Sequence, residues 1–358
     1  MPCPSVDVSM NDSNPTTPHA IDALGRNLRD LRISVTDRCN FRCPYCMPEE
    51  IYGESYRFLP KPQLLTFEEI HRLARLFVES GVEKIRITGG EPLLRHGLPS
   101  LIAQIATLQG VRDIALTTNG VLLARQAAEL ADAGLQRVTV SLDSHEPDVF
   151  QKMSGRSFAP DAVFEGIDAA EAAGLGPIKI NCVVQRGVND HQVVDLAEVF
   201  KGTGRILRFI EYMDVGTLNQ WDLGDVVPAE DIRKRIHARF PLEEVPPSYS
   251  GEVATRFRYR DGSGEVGIIS SVTKPFCGAC TRARLTTEGR LVTCLFASGG
   301  EDLRTPLREG ASDAELLARI AGTWSRRTDR YSEERSHQSD TATDGRPLQK
   351  IEMYEIGG

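Results

Sequence analysis

The sequence predicts an α/β protein built on a partial (β/α)6 barrel of the TIM type, with a smaller C-terminal α+β domain that closes the open side of the barrel. Between about residues 31 and 211, short β-branched runs alternate with helical stretches, a pattern typical of a parallel sheet covered by helices. The unit occurs six times and then stops near residue 222. A closed barrel has eight such units, so we expect one side of this barrel to be open.

The six predicted strands are short runs rich in Ile, Val and Thr, at residues 32–36, 84–88, 113–117, 137–141, 178–184 and 206–211. Thr66 and Glu69 have the spacing of a capping box, which predicts a helix that begins there and ends at Gly81. Gly110 and Gly134 mark the ends of the next two helices in the same way.

The region after the barrel has a different pattern. A helix predicted over residues 228–240 begins with Pro at a first-turn position, and residues 253–259 and 265–272 indicate antiparallel strands. We therefore divide the chain into a disordered tail (1–25), the barrel (26–221) and a C-terminal domain (222–358). Within that domain, residues 324–347 are rich in Arg, Ser, Thr and Asp, which predicts a mobile connection with solvated arginines.

The composition favours a cytoplasmic enzyme. The 358 residues are 41% hydrophobic and 26% charged, which is enough for a sizeable core. The N-terminal residues contain no apolar stretch typical of an export signal, and no run approaches the roughly 18 apolar residues of a membrane helix. A net charge of -8 argues against a nucleic-acid binder, although local cations can still attract an anionic ligand. We expect no nucleic acid and no membrane among its partners.

The first of two cysteine groups is Cys39, Cys43 and Cys46, spaced C-x3-C-x2-C. A cubane [4Fe-4S] cluster has four irons, so three thiolates leave one iron open to a small molecule. A structural zinc site normally has four ligands, and no further Cys or His lies near this loop. We predict a [4Fe-4S] cluster here, with zinc as the alternative.

The second group is Cys277, Cys280 and Cys294, spaced C-x2-C-x13-C. A zinc ribbon needs two C-x2-C pairs and this region has one, so we predict a second [4Fe-4S] cluster with an open iron, again with zinc as the alternative. Metal-ligating cysteines suit a reducing compartment better than disulfides do. The other two cysteines, Cys3 and Cys182, are expected to be inert.

Polar and glycine-rich residues follow the predicted strands, where the active sites of such folds lie. They are the cysteine loop, Gly89-Gly90-Glu91-Pro92, Thr117-Thr118-Asn119-Gly120, Ser141-Leu142-Asp143, Lys179 with Asn181, and Glu211-Tyr212-Met213. The Gly-Gly-Glu-Pro stretch alone could be only a tight turn. Glycine also permits close approach of a ligand to the backbone.

The first cysteine group, with Tyr45 before its last member, resembles the radical S-adenosylmethionine (SAM) superfamily, in which the open iron binds SAM. Together the two cysteine groups, the two glycine-containing loops, the segment 280–284 and the Gly-Gly C terminus resemble the GTP 3′,8-cyclase (MoaA) family of molybdenum cofactor biosynthesis, over about residues 31–358. In that family the first cluster and SAM lie in the barrel mouth. The second cluster binds the guanine of GTP through its open iron.

The resemblance implies the conversion of GTP to (8S)-3′,8-cyclo-7,8-dihydroguanosine 5′-triphosphate. Reductive cleavage of SAM gives a 5′-deoxyadenosyl radical, which removes hydrogen from C3′ of GTP, and C3′ then attacks C8; the second cluster is a candidate source of the final electron. The implied cofactors are two [4Fe-4S] clusters and SAM. The implied partners are GTP, a one-electron donor such as flavodoxin or ferredoxin, and a downstream cyclic pyranopterin monophosphate synthase; a homodimer is a further expectation.

The resemblance also implies roles for individual residues. The expected SAM contacts are Tyr45, Gly90, Ser141 and Met213. The expected GTP contacts are Arg32, Arg86, Thr117, Lys179, Arg282, Ala283 and Arg284. The expected catalytic residues are Arg282, Arg284, Gly357 and Gly358, with the two glycines entering the active site.

The residues themselves support part of this assignment. Arg32, Arg86 and Lys179 lie on three predicted strands among apolar neighbours, where a cation is rarely buried without a partner. A triphosphate would supply that partner, and a salt bridge at the barrel edge is the alternative. Residues 351–356 alternate in polarity and predict an edge strand that would aim Gly357 and Gly358 at a fixed place, whereas many termini are frayed.

Two other functions remain open at this point. One is a radical SAM enzyme with an auxiliary cluster that acts on a peptide, in which case the cations would have no triphosphate to bind. The other is an iron-sulfur redox sensor. A sensor of that kind would need a DNA-binding module, and neither a basic helix nor a basic overall charge is visible.

Overall fold

The computed structural model describes residues 20–249, 251–335 and 349–357. These residues form one mixed sheet of 12 strands, in the order β12-β11-β10-β1-β2-β3-β4-β5-β6-β9-β8-β7. The strands are β1 (Asp30–Ser34), β2 (Lys84–Thr88), β3 (Asp113–Thr118), β4 (Arg137–Ser141), β5 (Lys179–Val184), β6 (Ile206–Glu211), β7 (Leu242–Val245), β8 (Thr255–Tyr259), β9 (Glu265–Ile269), β10 (Arg282–Leu285), β11 (Arg290–Val292) and β12 (Glu301–Asp302). The α-helices are α1 (Glu49–Tyr52), α2 (Phe67–Glu79), α3 (Leu98–Ala106), α4 (Ala127–Asp132), α5 (Pro147–Ser154), α6 (Asp161–Ala172), α7 (Val193–Phe200), α8 (Ala229–Arg239), α9 (Arg304–Arg308), α10 (Asp313–Ser325), α11 (Tyr331–Glu334) and α12 (Met353–Ile356).

The first six strands confirm the predicted barrel. β1 to β6 lie side by side in sequence order, and each neighbouring pair is parallel. Helical segments join each strand to the next, as right-handed crossovers between parallel strands require. The largest shift is at β1, which is predicted at residues 32–36 and observed at Asp30–Ser34.

Helix α2 begins where the capping box predicts. The Thr66 hydroxyl accepts a hydrogen bond from the Glu69 N–H, and the Glu69 carboxylate accepts one from the Thr66 N–H. The inner face of the helix buries Ile70, Leu73 and Phe77, at the spacing of one helical stripe. Such a cap contributes about 1 kcal/mol.

The C-terminal strands extend both edges of the barrel sheet. β10 is parallel to β1 at one edge, and β9 is parallel to β6 at the other. Antiparallel strands then continue outward on each side. The pairing places Arg282 opposite Asp30 and Arg284 opposite Arg32, which brings the second cysteine group next to the barrel.

The alternation of side chains along the strands separates the core from the barrel interior. Leu31, Ile33 and Ile85 are at most 1% exposed and belong to the main hydrophobic core. Successive side chains of a strand point to opposite faces. Arg32 and Arg86 therefore face away from this core, into the barrel.

The predicted N-terminal tail is too long. Ile21 forms a β-bridge with Asn27, and Asp22, with a fully buried side chain, pairs with Arg26 at 2.6 Å. Residues 20–25 are thus part of the fold, because a buried carboxylate with an ion-pair partner fixes the turn. Residues 1–19, including Cys3, lie outside the described residues.

The prediction of a mobile connection with solvated arginines over residues 324–347 is also partly wrong. Trp324 is fully buried at the end of α10. The Arg327 side chain, 2% exposed, pairs with Asp22, and Arg335 pairs with Asp214 at 3.0 Å. The carboxylates that bury these arginines are far away in sequence, so local composition does not indicate them. Residues 336–348 lie outside the described part of the chain.

The predicted edge strand over residues 351–356 is wrong. Met353–Ile356 forms one helical turn, and Gly357 follows with a φ of 62°. The ring of Tyr354 lies 5.1 Å from that of Tyr52. Carbonyls at the end of a helical turn lack intrahelical partners. Here Arg284 donates to the carbonyls of Ile356 and Gly357, and this contact favours the turn over an edge strand.

None of the described helices is long and apolar enough to cross a bilayer.

Candidate active site

The first cysteine group lies in the loop between β1 and α1, beyond the C-terminal end of the strand. The buried guanidinium of Arg42 crosses this loop and donates to the carbonyls of Cys39 and Tyr52 at 2.8 and 2.6 Å. The Cys46 N–H donates to the carbonyl of Cys43. These bonds fold the loop back on itself and bring the three thiols near one another.

The thiols of the first group need a bound cation in order to ionise. Burial raises the pKa of all three, to about 12 for Cys39, so each becomes a thiolate only against a bound cation. Among the described residues, no three Cys, His, Asp or Glu side chains converge as ligands of a single ion do. Thiolates on three different irons of a cubane need no such common point.

Gly89 and Gly90 allow two loops to touch through their backbones. A Cβ at Gly89 would lie 2.4 Å from the carbonyl oxygen of Thr36, and one at Gly90 would lie 2.3 Å from that of Arg38. The Gly90 N–H also donates to Thr36 at 2.8 Å. The glycines therefore seat the loop after β2 directly on the cysteine loop.

Glu91 joins the loops that follow β2 and β3. Its carboxylate accepts hydrogen bonds from the Thr118 hydroxyl and from the N–H groups of Leu93 and Asn119, at 2.7 to 3.0 Å. Burial raises its pKa to about 7 in spite of these donors. Both carboxylate oxygens of Glu91 are hydrogen-bonded within the protein. A ligand bound at this motif would therefore contact the main chain of the motif.

The predicted SAM residues lie in two places. Tyr45, Gly90 and Ser141 lie at or just beyond the C-terminal ends of β1, β2 and β4. The Tyr45 hydroxyl donates to Asp143 at 2.7 Å, and burial raises the pKa of that carboxyl to about 6. Met213, after β6, instead lines the cavity inside the barrel.

This cavity brings strand cations and the second cysteine group together. Its wall includes Cys277, Cys280, Cys294, Arg32, Arg86, Thr117, Arg282 and Arg284 from the predicted site. It also includes Lys84, Arg137, Arg208 and Arg327, together with the carboxylates of Asp30, Asp113 and Asp329. Eight cationic side chains thus face three carboxylates. Such a surface suits an anionic ligand in spite of the negative charge of the whole chain.

Strand register explains how the cations come together. Arg284, Arg32 and Arg86 are aligned across β10, β1 and β2, so their side chains lie on one face. Burial, followed by repulsion from Arg284 and Arg86, lowers the pKa of Arg32. Burial also lowers the pKa of Arg284, to about 10. Guanidinium groups held side by side are the arrangement that binds phosphate or other oxyanions.

The second cysteine group has cationic surroundings. Burial alone would raise the pKa of Cys280. The charges of Arg282 and Arg327 outweigh this effect and lower the pKa to about 6. The Arg282 guanidinium lies 3.2 Å from the Cys280 sulfur. Arg327 donates to the carbonyl of Cys280 and Arg26 to that of Cys277. For Cys280 these groups favour the thiolate form that iron ligation requires, whereas burial raises the pKa of Cys294 to about 11.

The C-terminal tail reaches the same arginines. The Gly357 carbonyl accepts hydrogen bonds from Arg284 at 2.5 Å and from Arg32 at 3.2 Å. A Cβ on Gly357 would lie 2.1 Å from the Thr88 methyl group, so this position has no room for a side chain. Gly358 lies outside the described residues, and a catalytic role for either glycine stays a prediction.

The other predicted GTP residues have different surroundings. Arg86 donates to the Thr117 hydroxyl at 3.0 Å. Lys179 lines a neighbouring cavity rather than the one that holds the second cysteine group, and Arg208 borders both. The side chain of Ala283 does not reach either cavity, because it is fully buried in the core on the opposite face of β10. A contact between Ala283 and a nucleotide would have to use its main chain.

Sequence reasoning missed Arg208 and left Asn181 without a role. The Arg208 Nε is buried without a hydrogen-bond partner, and burial lowers the pKa of this residue to about 9. The Asn181 side-chain oxygen is likewise buried without a partner in the cavity wall. The signal for Arg208 was present, since it lies between apolar strand residues as Arg32 and Arg86 do.

Cys182, which we expect to be inert, is buried in the core.

Comparisons with known proteins define the class. Residues 33–200 match the radical SAM superfamily, and residues 205–333 match the Molybdenum Cofactor Synthesis C family. The structure of Streptococcus suis SuiB bound to precursor peptide SuiA is 14% identical, with a TM-score of 0.59 over 89% of this chain and 70% of that chain. SuiB bound to S-adenosylmethionine is 15% identical, with a TM-score of 0.54 over 75% and 61%. At these identities the likeness shows the fold alone. The class follows instead from the sequence match over residues 33–200: the protein is a radical SAM enzyme.

Curated relatives narrow this class to one family. Proteins named GTP 3′,8-cyclase from Acidothermus cellulolyticus, Xanthomonas axonopodis pv. citri and Staphylococcus epidermidis are 54%, 52% and 47% identical to this chain. Each match covers 94% of this chain and 98% of the relative. The chain therefore belongs to the GTP 3′,8-cyclase family of molybdenum cofactor biosynthesis.

Proposed function

We propose that this protein converts GTP to (8S)-3′,8-cyclo-7,8-dihydroguanosine 5′-triphosphate, the first step of molybdenum cofactor biosynthesis. The observation that carries the proposal is a single cationic cavity whose wall contains all three cysteines of the second group. The tail carbonyl of Gly357 binds two arginines of the same wall. Membership of the GTP 3′,8-cyclase family supports the same reaction.

The triphosphate is assigned to cations that are not already bound to the tail or to a cysteine. Arg32 and Arg284 bind Gly357, and Arg282 lies against Cys280, so we place these three at the nucleoside end. Other cations are Lys84 and Lys179, the first residues of β2 and β5, and Arg86 and Arg208, the third residues of β2 and β6; to these we assign the triphosphate. GTP carries about four negative charges at neutral pH. Thr117, bound to Arg86, would lie beside them.

The first cysteine group would bind a [4Fe-4S] cluster and SAM, with Tyr45, Gly90, Ser141 and Met213 as SAM contacts. When bound and reduced, this cluster with SAM supplies a 5′-deoxyadenosyl radical. The chain contributes placement, because Met213 belongs both to this set and to the cavity wall.

The second cysteine group would bind another [4Fe-4S] cluster, with the guanine of GTP at its open iron. Cys277, Cys280 and Cys294 share the cavity with Arg282 and Arg284, and Arg282 favours the thiolate of Cys280. A peptide substrate is not favoured, since relatives that match 94% of the chain are named GTP 3′,8-cyclase. A DNA-binding redox sensor would leave the cavity without a ligand.

The reaction also defines its partners. It needs an external one-electron donor, for which a flavodoxin or ferredoxin is suited, and its product would be consumed by a cyclic pyranopterin monophosphate synthase. We place the protein in the cytoplasm, where thiols stay reduced; the described cysteines are all free. A homodimer remains an expectation.

The experiment is a metal analysis combined with turnover. Protein prepared without oxygen should contain about eight irons and about eight sulfides and should convert GTP when given SAM and a reductant. Cys280→Ser should retain about four irons and lose turnover. Cys182→Ser, at a core position outside both cysteine groups, should retain about eight irons and turnover. About four irons with one zinc in the unmodified protein would contradict the second cluster.

A further inference from the structure

Two segments of the C-terminal region meet at one carboxylate after β6. The Asp214 side chain, 11% exposed, accepts hydrogen bonds from the Tyr331 hydroxyl at 2.5 Å, from Arg335 at 3.0 Å and from Lys350 at 3.1 Å. Lys350 also donates to the Asp214 carbonyl at 3.2 Å. Arg335 ends one described segment and Lys350 lies near the start of the next, so this one residue binds both.

The loop that carries Asp214 makes further contacts with the tail. The Lys350 N–H donates to the Thr217 hydroxyl, and the Thr217 N–H donates to the Glu352 carboxylate at 2.9 Å. Gly216 has a φ of 77°, and a Cβ there would lie 2.1 Å from that carboxylate. The loop therefore fits the tail closely at a position five residues before Gly357.

We propose that Asp214 is a positioning residue for the C-terminal tail: by binding Arg335 and Lys350 together, it sets where the Gly357 carbonyl lies between Arg32 and Arg284. The proposal rests on the proposed role of the tail in GTP cyclisation. Asp214 directly follows Met213, which lines the cavity. The tail is thereby attached to the loop that also forms part of the cavity wall.

The electrostatics of this cluster explain why its charge matters. Arg335 and Lys350 side chains are each 14% exposed. Burial would raise the pKa of Asp214, but Tyr331, Arg335 and Lys350 together lower it, so the carboxylate is charged at neutral pH. Asparagine at this position would remove the carboxylate that both of these largely buried cations bind. The tail can relieve this by leaving the loop.

The test measures tail position and chemistry separately, on the complete protein with its clusters. In Asp214→Asn, amide hydrogen exchange of the segment 350–357 should become faster by roughly tenfold or more, whereas exchange in the barrel strands stays unchanged. GTP cyclisation should fall by a similar factor, with reductive SAM cleavage and GTP affinity retained. Lys350→Met should behave in the same way, and Lys350→Arg should restore both readouts because it keeps the charge.

Asp190→Asn is the matched control. Asp190 pairs with Arg235 at 3.2 Å and its side chain is 17% exposed, so the same isosteric change removes an ion pair that does not contact the tail. It should leave exchange in 350–357 unchanged. Unchanged exchange and unchanged cyclisation in both Asp214→Asn and Lys350→Met would overturn the proposal. If a chain that ends at Ile356 cyclises GTP at the normal rate, the proposed role of the tail in cyclisation is wrong.

Discussion

Replacing Gly357 by Ala should remove most GTP cyclisation while leaving SAM cleavage intact. The new Cβ would lie 2.1 Å from the Thr88 methyl carbon and 2.6 Å from the Thr88 hydroxyl oxygen. Thr88 is 2% exposed and is the last residue of β2, so it has little freedom to move aside. The segment that carries Gly357 is therefore the part that must shift.

The size of the effect follows from two costs. A residue other than glycine at positive φ costs about 1–3 kcal/mol, and φ is 62° here. On its own this lowers the docked population of the tail by roughly 5- to 150-fold. Overlap with Thr88 adds to that cost, and displacement also breaks the bonds from Arg284 and Arg32 to the Gly357 carbonyl. We expect a loss of cyclisation of roughly two orders of magnitude or more.

The assay counts two products of the same anaerobic reaction, 5′-deoxyadenosine from SAM and the cyclised nucleotide from GTP. Gly357→Ala should lower only the second. At Gly310 φ is also positive (91°) but no atom lies within 4 Å of the new Cβ, and at Gly299 the new Cβ is likewise free of contacts and φ is not in the left-handed region; Gly310→Ala and Gly299→Ala should therefore retain cyclisation. Adding Thr88→Ser to Gly357→Ala removes the methyl contact and should recover part of the activity. Cyclisation by Gly357→Ala within about threefold of the unmodified protein would refute this reasoning.

Three further predictions concern the first cluster site and the nucleotide. Cys43→Ser should abolish 5′-deoxyadenosine formation while about four irons remain; continued SAM cleavage would contradict the first cluster assignment. Arg282→Ala should weaken GTP binding by roughly 10- to 150-fold, the value of one charge-assisted hydrogen bond of about 1.5–3 kcal/mol, here to the nucleoside end of GTP. Calorimetric affinity unchanged within about threefold would show that the arginine does not bind the nucleotide. Burial, followed by repulsion from Arg208, lowers the pKa of Lys179 to about 8. Only the protonated amine attracts phosphate, so GTP affinity should fall as the pH rises through about 8, and Lys179→Met should lack this fall; a persistent fall would assign it to another group.

The barrel was predictable because its signals are local. Each strand is a short apolar run followed by a helix, and the Thr66–Glu69 cap lies within a single turn. The same locality explains why Arg32 and Arg86 could be picked out as cations between apolar strand residues. Arg208 lies between apolar strand residues in the same way, so the sequence contains the same signal for it.

Contacts between distant segments could not be predicted in this way. The parallel pairing of β10 with β1 places Arg284 opposite Arg32, and only this register explains how they bind one carbonyl of the tail. Arg327 looked solvated by composition, but its partner Asp22 is 305 residues away. Nothing in the local sequence of either residue indicates the other.

The tail shows the limit of short patterns. Six alternating residues fit an edge strand as well as a single helical turn, and packing decides between them. Tyr354 packs against Tyr52, and its hydroxyl lies 3.1 Å from that of Tyr56. These contacts favour the turn, which then directs Gly357 toward the two arginines.

Hydrogen transfer from C3′ of GTP tests the proposed reaction most directly. The protein, with both clusters, SAM and a reductant, should be given GTP that carries deuterium at C3′. The 5′-deoxyadenosine formed should contain one deuterium, in an amount that matches the cyclised product. Deuterium-free 5′-deoxyadenosine, or an equal yield of it without GTP, would contradict abstraction at C3′ in this cavity.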